Sequence, residues 1–206
     1  METKRKISRA GQGEQRKKEL VQVSLRLFSE NGFHATSIRD IAKAAGVTEG
    51  LIYHYFQGKK DLLKTIVESS VLDDRLDRYL KTAEQLPLDE VFTRIGSDIL
   101  ESLRKKKEIF RLMLAEARLF EADADYFIPK LIYENNMTRL GGFLKERMKR
   151  GEIREMEPTI LARQFTGSLV AFFIFQEILL GKAVTDVPGE VFIENLVDVF
   201  LNGIKC

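Results

Sequence analysis

Apolar positions recur at spacings of three and four residues along most of this 206-residue chain. The first such segment places Leu20, Leu27 and Phe28 on one stripe and stops at Gly32, a residue suited to a left-handed helix end. This period is that of one face of an α-helix, and no strand-like alternation bounded by turn signals is visible. The pattern therefore predicts an all-α protein whose first helix covers about residues 14–31.

Two shorter apolar patterns follow and predict a helix-turn-helix. Ser37 starts the second helix, because its hydroxyl can accept a backbone hydrogen bond while Asp40, three residues later, reaches back. Gly46 permits a sharp turn, and Thr48 can cap a third helix that ends near Phe56. Two short helices joined in this way are typical of proteins that place the second helix in the major groove of DNA.

The remaining apolar patterns predict six further helices, about nine in all. Their expected ranges are 60–81, 88–104, 106–120, 126–149, 158–181 and 189–203. The last two helices are apolar on nearly all sides, so we expect one face of each to pack inward and the other against a second chain. The chain is divided accordingly into a disordered basic arm over 1–13, a helix-turn-helix DNA-binding head over 14–60, and a helical-bundle body over 61–206.

Charge is distributed unevenly between the head and the body. Residues 1–60 contain 12 Lys and Arg residues against 6 Asp and Glu residues, whereas the rest of the chain has an acidic excess. A basic module attached to a mildly acidic body suggests that the first part binds a polyanion. The arm over 1–13 could follow DNA into the minor groove, or it could be a solubilising tail.

The composition disfavours several other classes of protein. The only cysteine is Cys206, so no disulfide can form within the chain and a cytoplasmic location is expected. No uninterrupted apolar run reaches about 18 residues, so no membrane contact is expected, and the basic N-terminus is not followed by the apolar stretch of a secretory signal.

The sequence also offers little material for catalysis. Both histidines, His34 and His54, lie in the head, and neither a glycine-rich phosphate loop nor a nucleophile–base pair is visible. The acidic residues 121–125 are expected to form a loop or a helix start rather than a cation site. We therefore expect no enzyme activity, no catalytic residue, no cofactor and no metal.

The exposed face of the third helix offers groups suited to DNA. Ile52 and Phe56 are four residues apart and are expected to fasten this helix to the first two. The opposite face presents Glu49, Gly50 and Tyr53. Gly50 costs about 1 kcal/mol of helix propensity relative to alanine, but it lets a ligand approach the backbone closely. Further groups that can bind phosphates are Tyr55, Lys59 and Lys60.

The segment GFHATSIRDIAKAAGVTEGLIYHYFQGKKDLL, residues 32–63, resembles the DNA-binding domain of the TetR family of bacterial transcriptional regulators. Elements that match at fixed spacing include Gly32-Phe33, Ala45-Gly46-Val47 and Tyr55-Phe56. With the first helix, the resemblance covers about residues 14–64. It implies a homodimeric repressor that binds a palindromic operator and releases it when a small molecule occupies the body.

The resemblance also implies roles for individual residues of the head. Arg39 resembles an arginine that reads guanine, although it could also be a solvated surface charge. Glu49 and Leu51 occupy positions that set operator choice, where Glu49 could accept a hydrogen bond from cytosine or reject other sequences. The residues that match phosphate contacts are Thr36, Ser37, Tyr53, Tyr55 and Lys59. The remaining expected contacts are Thr48, Gly50 and, unless it packs against the first helix, His54.

Apolar and aromatic residues of the body could line a pocket for a small molecule, or they could form ordinary core. The candidates are Phe110, Met113, Phe120, Tyr133, Met137, Phe165, Leu169, Phe172, Phe173 and Gln176. Because no cluster of buried cations is visible, a hydrophobic, uncharged or weakly polar effector is expected. A regulator of the same fold could instead respond to a protein partner or bind DNA constitutively, and a cavity that accepts apolar compounds would distinguish these alternatives.

The dimer interface is expected on the last two helices. Small side chains four residues apart on one helix would let a partner backbone come close, and an apolar stripe on the other would add contact area. The expected interface residues are Gly167, Ala171, Phe192, Leu196, Val199 and Phe200. Two helices from each chain would form a four-helix interface, as the resemblance implies.

Overall fold

A computed structural model of the chain describes residues 9–71, 75–115, 137–179 and 181–204, and these residues contain helices and no β-strand. The predicted all-α fold is confirmed. The helices are α1 (Arg9–Asn31), α2 (Ile38–Ala45), α3 (Glu49–Tyr55), α4 (Lys59–Val71), α5 (Arg75–Thr82), α6 (Leu88–Lys105), α7 (Lys107–Ala115), α8 (Thr138–Lys149), α9 (Pro158–Phe173) and α10 (Gly189–Ile204). Helix α9 continues as a π-helical turn over Ile174–Ile178, and a 3₁₀ turn follows over Gly181–Ala183.

The described helices fall into two compact units. The first contains α1 to α4 and α7 from Glu108 onward, and the second contains Lys107 with α5, α6 and α8 to α10. This division differs from the predicted boundary at residue 60, because α4 belongs to the first unit through its buried apolar side. The side chains that α4 buries are Leu62, Leu63, Ile66 and Val67.

Helix α1 begins at Arg9, five residues before its predicted start. Residues 9–13 of the expected disordered arm are therefore helical, and residues 1–8 lie outside the described residues. Helix α1 starts earlier than predicted partly because α3 approaches its first turns. A β-carbon on Gly13 would lie 3.6 Å from the Tyr55 hydroxyl oxygen, so the start of α1 has a neighbour to pack against.

The core of the first unit joins α1, α2 and α3. Leu20 and Phe28 of α1 are buried together with Ile41 of α2 and Ile52 of α3. The ring of Phe28 lies 5.1 Å from that of Phe33, which follows the end of α1. Burial of these side chains leaves the opposite face of α3 exposed, which is the face that sequence analysis assigned to DNA.

Three phenylalanines from three helices form the centre of the second unit. The ring centroid of Phe92 lies 4.8 Å from that of Phe165 and 5.1 Å from that of Phe200, and those of Phe165 and Phe200 are 5.2 Å apart. Helix α10 comes close to α6 at Gly96, where a β-carbon would lie 3.0 Å from the Ile193 side chain. Phe200, predicted to lie in the dimer interface, is therefore part of the core of its own chain.

A buried arginine supports this unit in a way that sequence analysis missed. Arg147 of α8 donates two hydrogen bonds from Nη2, to the carbonyl oxygens of Ala83 at 2.9 Å and Leu86 at 2.7 Å. Its Nη1 pairs with Glu152, and its guanidinium lies 4.9 Å from the centre of the Phe143 ring. In the sequence, Arg147 is indistinguishable from the other basic residues at the end of α8.

The segment Pro158–Ile178 is long and apolar enough to cross a membrane by length and composition alone. The core helix of a folded domain meets the same criterion. Here Leu161, Phe165, Leu169 and Phe173 are buried in the second unit, so packing within the chain explains much of the apolar content of α9.

Candidate nucleic-acid interface

Reciprocal hydrogen bonds fix the start of α2. The Ser37 hydroxyl accepts a hydrogen bond from the backbone N–H of Asp40 at 3.1 Å, and the Asp40 carboxylate accepts one from the backbone N–H of Ser37 at 2.9 Å. The predicted capping box is thus confirmed. The Ser37 hydroxyl also donates to that carboxylate, and the side-chain and backbone hydrogen bonds from Ser37 together lower the pKa of Asp40. Ser37 is exposed, but its hydroxyl hydrogen is used within the box.

The turn and cap that orient α3 are those that the sequence predicts. Gly46 ends α2 with a φ of 65°, the left-handed conformation that glycine adopts without strain. The Thr48 hydroxyl accepts a hydrogen bond from the backbone N–H of Leu51 at 3.3 Å. Glu49, Gly50 and Tyr53 are exposed, as expected, whereas Leu51 is half-buried.

The two residues after Tyr53 differ in their surroundings. His54 is exposed, and its ring meets that of Tyr55 edge-on at a centroid distance of 4.9 Å. Tyr55 is half-buried with its hydroxyl near Gly13 of α1. Sequence analysis left two environments open for His54, namely contact with DNA and packing against the first helix. The exposed position of His54 fits the first, and Tyr55 is the residue that approaches α1.

The side chain of Thr36, which was predicted to contact phosphate, is buried and engaged within the protein. Only 2% of its surface is exposed. Its hydroxyl oxygen lies 2.8 Å from the carbonyl oxygen of Gly32 and 3.2 Å from that of Leu27, and a hydroxyl has one hydrogen to donate. The side chain therefore satisfies the carbonyl end of α1 and is not available to a phosphate in this arrangement.

Lys59 at the start of α4 also has protein partners where sequence analysis expected a phosphate. Its Nζ donates to the carbonyl oxygen of Thr36 at 2.8 Å and to that of His34 at 3.2 Å. The same ammonium lies 4.5 Å from the centre of the Phe33 ring, within range of a cation–π interaction. Lys59 thus ties α4 to the connection between α1 and α2. The next residue, Lys60, is exposed.

The exposed charges of α2, α3 and the start of α4 are mixed. Arg39, Lys43 and Lys60 supply positive charge, whereas Asp40 and Glu49 supply negative charge. Positive side chains suit phosphate contact, and a carboxylate on a reading helix restricts which bases it can face. The surface therefore combines side chains of the types suited to phosphate contact and to base discrimination, and their contact with DNA stays a prediction.

The predicted ligand residues are divided between the two units. Phe110 and Met113 are half-buried on α7, in the first unit, whereas Phe120 and Tyr133 lie outside the described residues. The buried candidates of the second unit are Met137, Phe165, Leu169, Phe172 and Phe173. Gln176 is half-buried, and its side-chain oxygen is fully covered without a hydrogen-bond partner in the described part of the chain. Their contact with a ligand stays a prediction.

The expected dimer residues have mixed exposure. Gly167, Ala171 and Val199 are exposed, with Val199 71% exposed. Leu196 and Phe192 are half-buried, and the ring of Phe192 stacks on that of Phe172 at 4.1 Å. Large exposed apolar residues that sequence analysis missed are Ile160, Phe175, Leu179 and Val191. Most of them lie at helical spacing from Gly167 and Ala171. The periodicity of the sequence could therefore have indicated that they share an exposed face with these two residues.

Two family models match this chain over its two parts. The model of bacterial regulatory proteins of the tetR family matches residues 20–66, and the model of the AefR-like transcriptional repressor C-terminal domain matches residues 90–203, more than half of the chain. The chain belongs to the TetR family. The family predicted from residues 32–63 is confirmed, and the head described above is a TetR-type DNA-binding domain.

Individual relatives of this TetR-family protein are also transcriptional regulators. It is 31% identical over 146 residues to the regulator BetI of Vibrio campbellii, covering 69% of this chain and 71% of that protein. It is 26% identical over 148 residues to the fatty acid metabolism regulator protein of Bacillus subtilis, covering 71% and 75%. The crystal structure of the regulator FadR from Bacillus subtilis in complex with stearoyl-CoA has the same fold, with a TM-score of 0.69, 20% identity and coverage of 91% and 98%.

Proposed function

We propose that this TetR-family regulator is a repressor that binds a palindromic operator as a homodimer and releases it when an apolar small molecule binds the body. The observation that carries the DNA-binding part is the exposed face of α3. Glu49, Gly50 and Tyr53 lie on a helix that Thr48 caps and that Ile52 fastens to the core. A helix held in this way can enter a major groove without rearrangement of its own backbone.

The roles proposed for individual residues follow from their exposure. Arg39 and Glu49 read base edges, and Tyr53 and Lys60 bind phosphates. Thr36 and Lys59 act by shaping the connection before α2, because their polar atoms are already engaged there. Substitution of a reader is expected to change which sequences bind, whereas substitution of a phosphate contact weakens binding to all sequences alike.

The homodimer is proposed on exposed apolar side chains of α9, of the π-helical turn that follows it with Leu179, and of α10. Phe175 is 63% exposed, and Ile160, Leu179 and Val199 are also exposed large apolar side chains. Soluble chains rarely leave such residues together on one pair of helices unless a partner covers them. A two-fold dimer pairs the same surface of both chains, and two heads related in this way require an operator with matching two-fold symmetry.

The proposed effector contains a long apolar chain. The relatives that suggest this are the fatty acid metabolism regulator of Bacillus subtilis and the FadR structure with stearoyl-CoA. Within this chain, an apolar effector is supported by buried aromatic and thioether side chains of the second unit, including Met137, Phe172 and Phe173. Such side chains are the usual lining of sites for apolar ligands.

The test is selection of DNA from a random pool by the purified full-length protein, followed by fluorescence anisotropy of the recovered sequence with stearoyl-CoA, palmitate and a bile acid. We expect a palindrome that at least one long-chain compound releases, while the bile acid does not. A non-palindromic sequence, or a monomer in sedimentation velocity, would contradict the dimer. A palindrome that survives every compound would contradict the effector and favour control by a protein partner. Absence of enrichment would contradict DNA binding.

A further inference from the structure

A carboxylate in the second unit is surrounded by three cations. Glu177, in the π-helical turn after α9, has Oε1 3.2 Å from Lys182 Nζ and 3.3 Å from Arg104 Nε, and Oε2 3.7 Å from Lys107 Nζ. Only 13% of the Glu177 side chain is exposed, whereas the three cations are 30 to 48% exposed. The cations come from separate elements, namely the end of α6, the first residue of α7 and the 3₁₀ turn.

The charges of this cluster do not balance. One carboxylate faces three cations, which leaves an excess of two positive charges. By contrast, Lys149 and Glu146 of α8 form a pair of one cation and one carboxylate. Burial raises the pKa of the Glu177 carboxyl, but the hydrogen bonds and charges of Lys182 and Arg104 outweigh burial and lower that pKa. The carboxylate is therefore charged at neutral pH, and the excess of two remains.

The backbone around the cluster has features that bring the charged groups close together. A π-helical turn inserts an extra residue per turn and is frequent at functional sites, and here it carries both Gln176 and Glu177. A β-carbon on Gly189 would lie 2.9 Å from Arg104 Nη2, so glycine at the start of α10 leaves room for the guanidinium. A β-carbon on Gly181 would lie 2.3 Å from the carbonyl oxygen of Phe175, so the chain can turn back toward Glu177 only with glycine there.

The residue before Glu177 in the same turn has a polar group without a partner among the described residues. The side-chain oxygen of Gln176 is fully covered and accepts no hydrogen bond from the described residues. A covered acceptor of this kind costs free energy until a donor reaches it.

We propose that Arg104, Lys107 and Lys182 bind a phosphate ester on the effector, and that Glu177 partly neutralises these cations until the phosphate arrives. The inference rests on the proposed function and names the polar end of the same effector. A phosphate monoester carries about two negative charges at neutral pH, which matches the excess of this cluster. Arginine and lysine are the side chains that bind phosphate oxygens through charge-assisted hydrogen bonds. The effector is then an amphiphile, in contrast to the uncharged compound expected from the sequence.

The experiment is isothermal titration calorimetry of the full-length protein with decyl phosphate, decanol and inorganic phosphate, with each alkyl compound kept below its micelle-forming concentration. We expect decyl phosphate to bind more tightly than decanol. Lys182→Gln should weaken decyl phosphate about tenfold, because one charge-assisted hydrogen bond is lost, and should leave decanol unchanged. Lys182→Arg should retain binding. Lys149→Gln removes a lysine of similar exposure from a one-to-one pair and should have no effect.

Substitution of the Glu177 carboxylate should change the affinity for decyl phosphate in the opposite direction. Glu177→Gln removes the charge that competes with the phosphate, so the affinity for decyl phosphate should rise about threefold. Glu146→Gln removes an exposed carboxylate from the pair with Lys149 on α8 and should leave the affinity unchanged. Far-UV circular dichroism of each variant would establish that its helices are intact before the affinities are compared.

The outcomes separate this inference from the proposed effector. If decyl phosphate and decanol bind alike and Lys182→Gln changes neither affinity, the phosphate site is wrong while an apolar effector stands. If decyl phosphate binds in a Lys182-dependent way but does not release the operator, the site stands and its role in release is wrong. If inorganic phosphate alone binds, the cluster is an anion site unconnected with an apolar effector. If no probe binds, both proposals fail.

Discussion

The two units of this protein differ in how far along the chain their polar contacts reach. In the first unit, the residues that orient α2 and α3 are close neighbours: Ser37 bonds to Asp40, and Thr48 bonds to Leu51, each three residues on. In the second unit, Arg147 bonds to Ala83 and Leu86, more than sixty residues earlier. Helix α3 is thus oriented by local signals, whereas the second unit depends on contacts that only the complete fold creates.

This difference has a consequence for how each unit tolerates change. A local cap contributes about 1 kcal/mol, and its loss frays one helix end. A buried side chain that satisfies several backbone carbonyls at once leaves all of them without partners when it is removed, so the loss is larger. Substitutions in the body should therefore cost more stability than substitutions of single caps in the head.

The largest effect is expected for Arg147→Met, which keeps the apolar stem near Phe143 but removes the donors. Loss of two charge-assisted hydrogen bonds to the carbonyls of Ala83 and Leu86 should lower the free energy of unfolding by about 3 kcal/mol. Urea unfolding followed by far-UV circular dichroism measures this. Lys149→Met, two residues on, removes an exposed pair with Glu146 and should change little. Equal destabilisation by both substitutions would mean that Arg147 is not a structural centre of the unit.

Lys59 is the exception to the local pattern of the head, because it bonds to carbonyls 23 and 25 residues earlier. Lys59→Met should lower the free energy of unfolding by about 1 to 2 kcal/mol, since Thr36 and His34 lose a charged donor. It should weaken operator binding without a specific change in salt dependence.

The neighbouring Lys60 supplies the control for that substitution. Lys60→Met should leave stability unchanged and reduce the slope of log affinity against log salt by about one, the signature of a lost phosphate contact. Anisotropy titrations at several salt concentrations measure both slopes. If Lys59→Met retained full stability and reduced the slope instead, Lys59 would be a phosphate contact, as the family resemblance first implied.

The features that could be predicted from the sequence are those that depend on residues close together in the chain. The capping box at Ser37, the turn at Gly46, the cap at Thr48 and the buried position of Ile52 were all predicted correctly, because each depends on residues three or four apart. The pattern could show that Phe200 lies on an apolar face, but not whether that face meets its own chain or another.

Two predictions within the head, those for Thr36 and Lys59, have a related limit. The resemblance implied phosphate contacts for both, yet their polar atoms already have carbonyl partners within the chain. The partners of Thr36 are four and nine residues earlier, and one partner of Lys59 is 23 residues earlier. The cluster around Glu177 was missed for the same reason. Its three cations lie 5 to 73 positions from Glu177 along the chain and are brought to it by α6, the start of α7 and the 3₁₀ turn. Residue type indicates what a group can bind, and only the fold decides what it does bind.

A smaller effect is expected for Thr48→Ala, which removes the cap of α3. The backbone N–H of Leu51 loses its acceptor, so the free energy of unfolding should fall by about 1 kcal/mol. Thr48→Ser keeps the hydroxyl and should retain most of the stability. Hydrogen exchange of the amides at the start of α3 measures the fraying directly. Unchanged exchange in the alanine variant would mean that packing of Ile52, and not the cap, holds the helix start.

The smallest effect concerns the pH dependence of the α2 cap. The pKa of Asp40 is lowered in the folded state, chiefly by the side-chain hydrogen bond from Ser37, so its contribution to stability is present above the pKa of the unfolded chain. That contribution is lost as the pH falls through the lower, folded-state value. NMR titration should show the pKa of Asp40 returning toward its usual range in Ser37→Ala. The pKa of Glu157, lowered by hydrogen bonds from Thr159 on α9, is the internal control and should not move. An Asp40 pKa that is the same in both proteins would show that the nearby Lys43 and Arg39, and not the capping box, stabilise the carboxylate, and the head would then depend less on local hydrogen bonds than its geometry indicates.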